Sequence, residues 1–99
     1  MLSKRQREYL RAQAQNLRPL VMVGKGGVSA TLVKALDEVL TAHELVKLKF
    51  IDHKDEKAPI AGELAEQTGS EIVTTIGHMV VFFRQHPEPQ NRRYVLPNE

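Results

Sequence analysis

The chain has no cysteine and no tryptophan, and only five aromatic residues, two Tyr and three Phe. Without cysteine there is no disulfide, no thiolate nucleophile and no thiolate metal ligand. Its four histidines, His43, His53, His78 and His86, have no metal-ligand spacing, so no metal is expected and they read as surface residues. The sparse aromatics, Tyr9, Phe50, Phe82, Phe83 and Tyr94, offer no obvious platform for stacking bases, and Phe50 with one of Phe82 and Phe83 is expected in the core. No apolar run approaches the roughly 20 residues of a membrane span. Met1 to Arg7 lead straight into a polar helical pattern with no apolar leader segment, so a cytoplasmic protein is expected. No Ser-His-Asp arrangement is visible, and Asp52-His53-Lys54-Asp55-Glu56 reads as a solvated loop rather than an acid–base cluster. No catalytic residue, enzyme activity or cofactor is expected.

What is present suffices for one domain. A chain of 99 residues buries roughly 60–65% of its unfolded surface, enough for one core without staples. Fourteen basic residues face twelve acidic ones, but unevenly: the first 34 residues hold seven Lys or Arg and one acid, Glu8. Such asymmetry favours a polyanionic partner on one surface.

The hydrophobic periods set out the elements. Ser3-x-x-Gln6 has the capping-box spacing for a helix to about Gln15, with a narrow stripe of Leu10, Ala14 and Leu17 beside Tyr9. Pro19 breaks that pattern, and Leu20 to Val23 reads as a strand. Ser29 suits an N-cap, Val28 and Val33 the N′/N4 staple, and Leu32, Val33, Leu36, Val39 and Leu40 a wide helical stripe over about Ala30–Ala42. Glu44 to Ile51 alternates, with Val46, Leu48 and Phe50 on one face and Lys47 and Lys49 on the other, which predicts a half-buried strand with a cationic outer face. A charged loop, Asp52 to Lys57, precedes a helix over about Ala58–Thr68, with Pro59 in its first turn and Gly69 beyond its end. Ile72–Ile76, the turn Gly77-His78 and Met79–Arg84 read as a hairpin, and the proline-bearing tail from Gln85 as extended and irregular. The order α-β-α-β-α-β-β predicts a mixed α/β fold, a four-stranded sheet with packed helices, its core in residues 1–84 and a tail over 85–99.

Gly24-Lys25-Gly26-Gly27 stands between the first strand and the second helix. Walker A spacing fails, because Pro19 lies where the first glycine is needed and Gly26 follows Lys25 in place of Ser or Thr. The dinucleotide fingerprint fails too, since Ser29 occupies its third glycine position. Gly-x-x-Gly remains, the loop with which KH-type modules clamp a nucleotide backbone. Bare backbone N–H groups, a cation and a helix N-terminus together suit phosphate. Lys4, Arg5, Arg7 and Arg11 on the first helix, Arg18, the Lys47/Lys49 face and Arg84 would extend the footprint if they share its surface.

These residues carry a resemblance. Leu10–Leu17 followed by Arg18-Pro19, Val23 to Ser29, Glu44 to Lys49, Ile76-Gly77 and Val81-Phe82-Phe83-Arg84 together resemble the CRM domain (chloroplast RNA splicing and ribosome maturation) in its stand-alone bacterial, YhbY-like form. Phe82-Phe83-Arg84 departs from a Leu-Tyr-Arg type ending, which leaves Arg84 in place and removes an aromatic hydroxyl. The resemblance implies a fold like the C-terminal domain of translation initiation factor three. It also implies RNA binding and association with precursors of the large ribosomal subunit. It places RNA contacts at Gly24, Lys25, Gly26 and Gly27, with a basic surface at Lys4, Arg5, Arg18, Lys49 and Arg84; the strand reading adds Lys47. The expected partner is therefore ribosomal RNA, with no membrane or small-molecule substrate, and the protein is expected to be a monomer. Two other classes stay open: an adaptor that docks on a protein through an exposed apolar patch, and an enzyme for a phosphorylated small molecule, which would need a pocket with a perturbed titratable group beside the loop.

Overall fold

The computed structural model describes residues 1–98. The elements are α1 (Lys4–Ala14), β1 (Pro19–Val23), α2 (Ala30–His43), β2 (Leu45–Phe50), α3 (Lys57–Thr68), β3 (Glu71–Ile76) and β4 (Met79–Phe83), with short 3₁₀ turns at Lys54–Glu56 and Pro89–Asn91. The expected local signals act where they were read. Ser3 and Gln6 form a reciprocal capping box, the Ser29 hydroxyl accepts from the Leu32 N–H at 3.1 Å, and Gly69 ends α3 at φ +65°. α3 begins one residue earlier than expected, at Lys57.

The sheet runs β1-β2-β4-β3. β1 pairs with β2 in parallel, and β4 pairs antiparallel with both β2 and β3. The hairpin therefore folds its second strand inward. Met79-Val80-Val81-Phe82-Phe83 is apolar at every position, so it belongs where both faces are covered, whereas Glu71–Ile76 carries Glu71, Thr74 and Thr75 and sits at the edge.

Both faces of the sheet are covered. α2 and α3 pack on one, around Val21, Val23, Leu36, Leu40, Val46, Leu48, Phe50, Leu64, Val80 and Phe82. α1 packs on the other, with Leu10, Ala14, Leu45, Val73, Val81 and Phe83. Tyr94 and Leu96 from the tail join this second core, and the Tyr94 ring meets Phe83 edge-on at 6.4 Å. Two expectations are corrected by that second layer. Phe82 and Phe83 are both buried, on opposite faces. Lys47 does not lie on a solvated strand face but is only 8% exposed, at a pocket it shares with Leu17 and Arg18 from the α1–β1 connection and Arg93 and Tyr94 from the tail.

The tail is held by specific bonds rather than trailing away. Glu44, 1% exposed and in the left-handed region at φ 64°, ends α2 by giving its N–H to the Leu40 carbonyl at 2.8 Å. Its own carbonyl accepts from the Arg84 N–H at 2.9 Å. Its carboxylate accepts the N–H groups of His86 and Arg93, both at 2.6 Å. Gln6 adds a bond from its side-chain amide to the Pro97 carbonyl at 2.9 Å, linking α1 to the tail. Glu44→Gln keeps the shape but leaves one acceptor oxygen for two partly buried N–H groups. It is expected to cost about 1–3 kcal/mol in urea denaturation and to speed hydrogen exchange at the His86 and Arg93 amides while the β1–β2 amides stay protected.

Candidate nucleic-acid interface

β1 delivers the chain to Gly24, and the Gly27 N–H returns to the Gly24 carbonyl at 3.1 Å, closing a four-residue turn. Among the described residues, the N–H groups of Lys25 and Gly26 have no partner within the chain. Lys25 is exposed at the tip. The three glycines have different reasons to be there. Gly27 sits at φ +62°, where side chains are strained, and a Cβ there would lie 3.4 Å from the His53 ring. Around Gly24 and Gly26 a Cβ would meet nothing within 4 Å, so those two leave the backbone bare instead of satisfying a turn. Gly27→Ala is accordingly expected to lose about 1–2 kcal/mol of stability, and Gly24→Ala and Gly26→Ala less than about 0.5 kcal/mol, measured by denaturant unfolding.

A histidine that the sequence reading left on the surface holds this turn. His53, itself left-handed at φ 56°, directs Nε2 to the Lys25 carbonyl at 2.8 Å and Nδ1 to the Glu56 carboxylate at 3.0 Å. Asp52 accepts the His53 N–H at 2.7 Å and fixes the backbone below it. A neutral imidazole can donate to only one of these two acceptors; the imidazolium donates to both. The Lys25 carbonyl first, and the Glu56 carboxylate after it, therefore raise His53 above its usual 6.5. The stability this gives is fully present below the unfolded value of about 6.5 and is lost as pH rises through the raised folded value. NMR titration of the His53 ring is expected to give a midpoint above 6.5, and Glu56→Gln to lower it. Thermal unfolding of His53→Ala should lose the corresponding stability difference between mildly acidic and alkaline pH.

Other cations collect at this end of the sheet. Lys49 lies beside Met22 and Met79, at the β1/β2 end from which the loop leaves. Lys54 follows His53, and Lys57 gives its ammonium to the Gly77 carbonyl of the β3–β4 turn at 2.6 Å. A groove of about 390 Å³ runs from the loop between β1 and α2, lined by Met22, Leu32, Ala35 and Val39 with Gly24, Gly26 and Gly27. Among the described residues no titratable side chain lines it, so the perturbed group that small-molecule catalysis beside the loop would call for is not found in that lining.

The remaining sequence candidates are dispersed. Lys4 and Arg5 are exposed, but α1 begins against β3, where the Leu2 N–H meets the Glu71 carboxylate at 3.0 Å and Arg7 bonds the Ile72 carbonyl. That is the far edge of the sheet, three strand spacings or about 14 Å from β1, and the opposite end of the strands from the glycine turn. Arg84 has an internal task. Its guanidinium donates to the Asp37 carboxylate at 2.6 Å, the Thr68 carbonyl at 2.7 Å, the Asp37 carbonyl at 2.9 Å and the Thr41 hydroxyl at 2.8 Å. It ties the ends of α2 and α3 to β4, and both terminal nitrogens are already engaged. Arg18 and Lys47 lie together at the other end of β1, where Lys47 pairs with Pro19.

Fold and loop together define a mixed α/β domain that offers a bare glycine turn at the end of a parallel strand pair. The chain belongs to the CRS1/YhbY (CRM) domain family, whose profile matches residues 2–84. It is 35% identical over 98 residues to YqeI of Bacillus subtilis, named a probable RNA-binding protein, covering 98% of this chain and all of that one. An RNA-binding protein of Haemophilus influenzae is 32% identical over 88 residues, 88% of this chain and 89% of its own. The solution structure of a Staphylococcus aureus protein proposed to bind RNA superimposes with a TM-score of 0.81 at 37% identity, covering 98% of this chain and all of that one.

Proposed function

We propose that the protein is a non-catalytic, cytoplasmic RNA-binding protein whose ligand is ribosomal RNA in precursors of the large subunit. One observation carries the phosphate contact: the unpaired N–H groups of Lys25 and Gly26 stand at an exposed turn with the Lys25 ammonium, just before the capped start of α2. Such a turn accepts phosphate oxygens without steric obstruction. The RNA-binding names of the relatives support RNA as the polymer. The ribosomal target rests on the family resemblance alone.

In this reading Gly24, Gly26 and Gly27 shape and bare the loop, Lys25 supplies charge at its tip, and Lys49 extends the cationic surface along the sheet. Lys4 and Arg5 would touch RNA only on a ligand broad enough to reach the opposite corner. Binding is set mainly by phosphates, so it should be strongly salt-dependent and weakly sequence-dependent.

A second reading, docking on a protein, has one observation in its favour. Met22, Lys49, Met79 and Ile76 are paired in register across all four strands on the α1 side, beyond the reach of α1, with Met22 and Ile76 48% and 49% exposed. Burial of such a row would give binding indifferent to salt, which separates the two readings.

Lys25→Glu is expected to weaken binding to structured ribosomal RNA at least tenfold at low salt, with a melting temperature within about 2 °C of wild type. Fluorescence anisotropy over a salt series reads the first and calorimetry the second. Wild-type affinity in the variant would remove the loop from the interface. On sucrose gradients of lysate, the protein should migrate with large-subunit particles at low salt and leave them at high salt.

A further inference from the structure

Lys47 is the most buried cationic residue among the described residues, at 8% exposure; its stem is covered, while its ammonium, which makes no hydrogen bond or ion pair among them, is not itself buried. It lines a pocket of about 230 Å³ at the start of β1, with Arg18, His43 and Arg93 as the other basic members and Leu17, Leu20, Leu45 and Tyr94 completing the wall. Among the described residues no carboxylate lines it. Glu44 lies next to Leu45 in the chain, but its two oxygens are engaged by the His86 and Arg93 N–H groups. Arg93 is anchored through its backbone to Glu44 and through Nε to the Ala42 carbonyl at 3.1 Å, which leaves its terminal nitrogens available to the pocket.

The cationic side chains of Arg18, Lys47 and Arg93 border one pocket with no carboxylate in its described wall, and an arriving anion would balance their charge. The pocket is smaller than the roughly 300–1,000 Å³ typical of small-molecule sites, so a single anionic group suits it better than a whole nucleotide. We propose that it is a second phosphate site, completed by the C-terminal tail and occupied by a backbone phosphate of the bound RNA. This inference rests on the RNA reading above and gives it a direction. The glycine turn lies at one end of β1 and the Arg18–Lys47–Arg93 pocket at the other, about 20 Å apart at the rise of an extended strand. Leu20 and Met22, 53% and 48% exposed, lie between them. An RNA strand following β1 would place phosphates at both ends and unpaired bases over those two side chains.

The test uses the full chain with a single-stranded RNA, and measures affinity over a salt series for wild type, Lys47→Met, Arg93→Gln, Lys25→Gln and Lys34→Gln. Lys34 is exposed on α2, is not among the residues that line the loop groove or the Arg18–Lys47–Arg93 pocket, and controls for loss of charge alone. Lys47→Met and Arg93→Gln are each expected to weaken binding at least threefold, and to lower the slope of log affinity on log salt by about 0.7, while Lys34→Gln changes neither. Arg93→Gln keeps the test open if Lys47→Met does not fold. Affinity and slope unchanged in the folded pocket variants, with Lys25→Gln weakened, would overturn the second site and leave the loop reading standing. Equal losses in Lys34→Gln would overturn it as well, by reducing the effect to net charge. Absence of binding by the wild type to this strand and to structured ribosomal RNA alike would overturn the RNA reading itself. A parallel NMR titration with inorganic phosphate separates the sources of the anion. Shifts at Arg18, Lys47, Arg93 and Tyr94 that Lys47→Met abolishes, without any effect of that variant on RNA affinity, would assign the pocket to free phosphate and overturn its RNA role.

Discussion

The second face of this protein is built on one buried carboxylate. Glu44 stands where α2 ends and β2 is about to begin, in a left-handed conformation that reverses the chain. Its N–H closes the helix, its carbonyl meets the strand end at Arg84, and its carboxylate gathers the His86 and Arg93 amides. Two charge-assisted bonds to backbone are strong enough to hold an otherwise irregular segment against the sheet. With the tail held, Tyr94 and Leu96 can join Leu10, Val81 and Phe83 in a second core. Without it, the basic pocket beside Lys47 would lose Arg93 and Tyr94.

The glycine turn depends on a similar economy. It has no packing of its own around Gly24 and Gly26. Its shape comes from one internal hydrogen bond and from the His53 ring pressed under Gly27 and bonded to the Lys25 carbonyl. A loop whose tip must be bare to meet a ligand cannot be stabilised from the ligand side. Support has to come from beneath, and here it comes from the connection after β2, the neighbouring strand. The turn and its support are therefore 28 residues apart in sequence and in contact in space.

That distance explains what was legible in the chain and what was not. The capping box at Ser3–Gln6, the Ser29 cap, the Gly69 helix end and the hairpin turn at Gly77 are local, and each works within a few residues of the signal that announces it. The bare loop was legible for the same reason. His53 was not, because a single histidine in a charged segment carries no spacing that points to its partner. Lys47 was misplaced by a period that was correctly read. The alternation assigned Lys47 to the face opposite Val46 and Leu48, and it is there, but alternation does not say whether a second layer covers that face. Arg84 lies one residue past the end of β4 rather than in it, and its guanidinium is drawn inward by Asp37, Thr41 and Thr68, none of them near it in the chain.

By itself, then, the sequence determined the elements, their order, the helix caps and the chemical character of the Gly24–Gly27 turn, because these follow from short-range sterics, hydrogen-bond inventory and hydrophobic period. Tertiary structure decided the strand order β1-β2-β4-β3, the burial of Lys47, the internal use of Arg84, the docking of the tail through Glu44 and the support of the loop by His53. Each of these joins residues distant in the chain, so it is set by which surfaces remain to be covered once the local elements have formed.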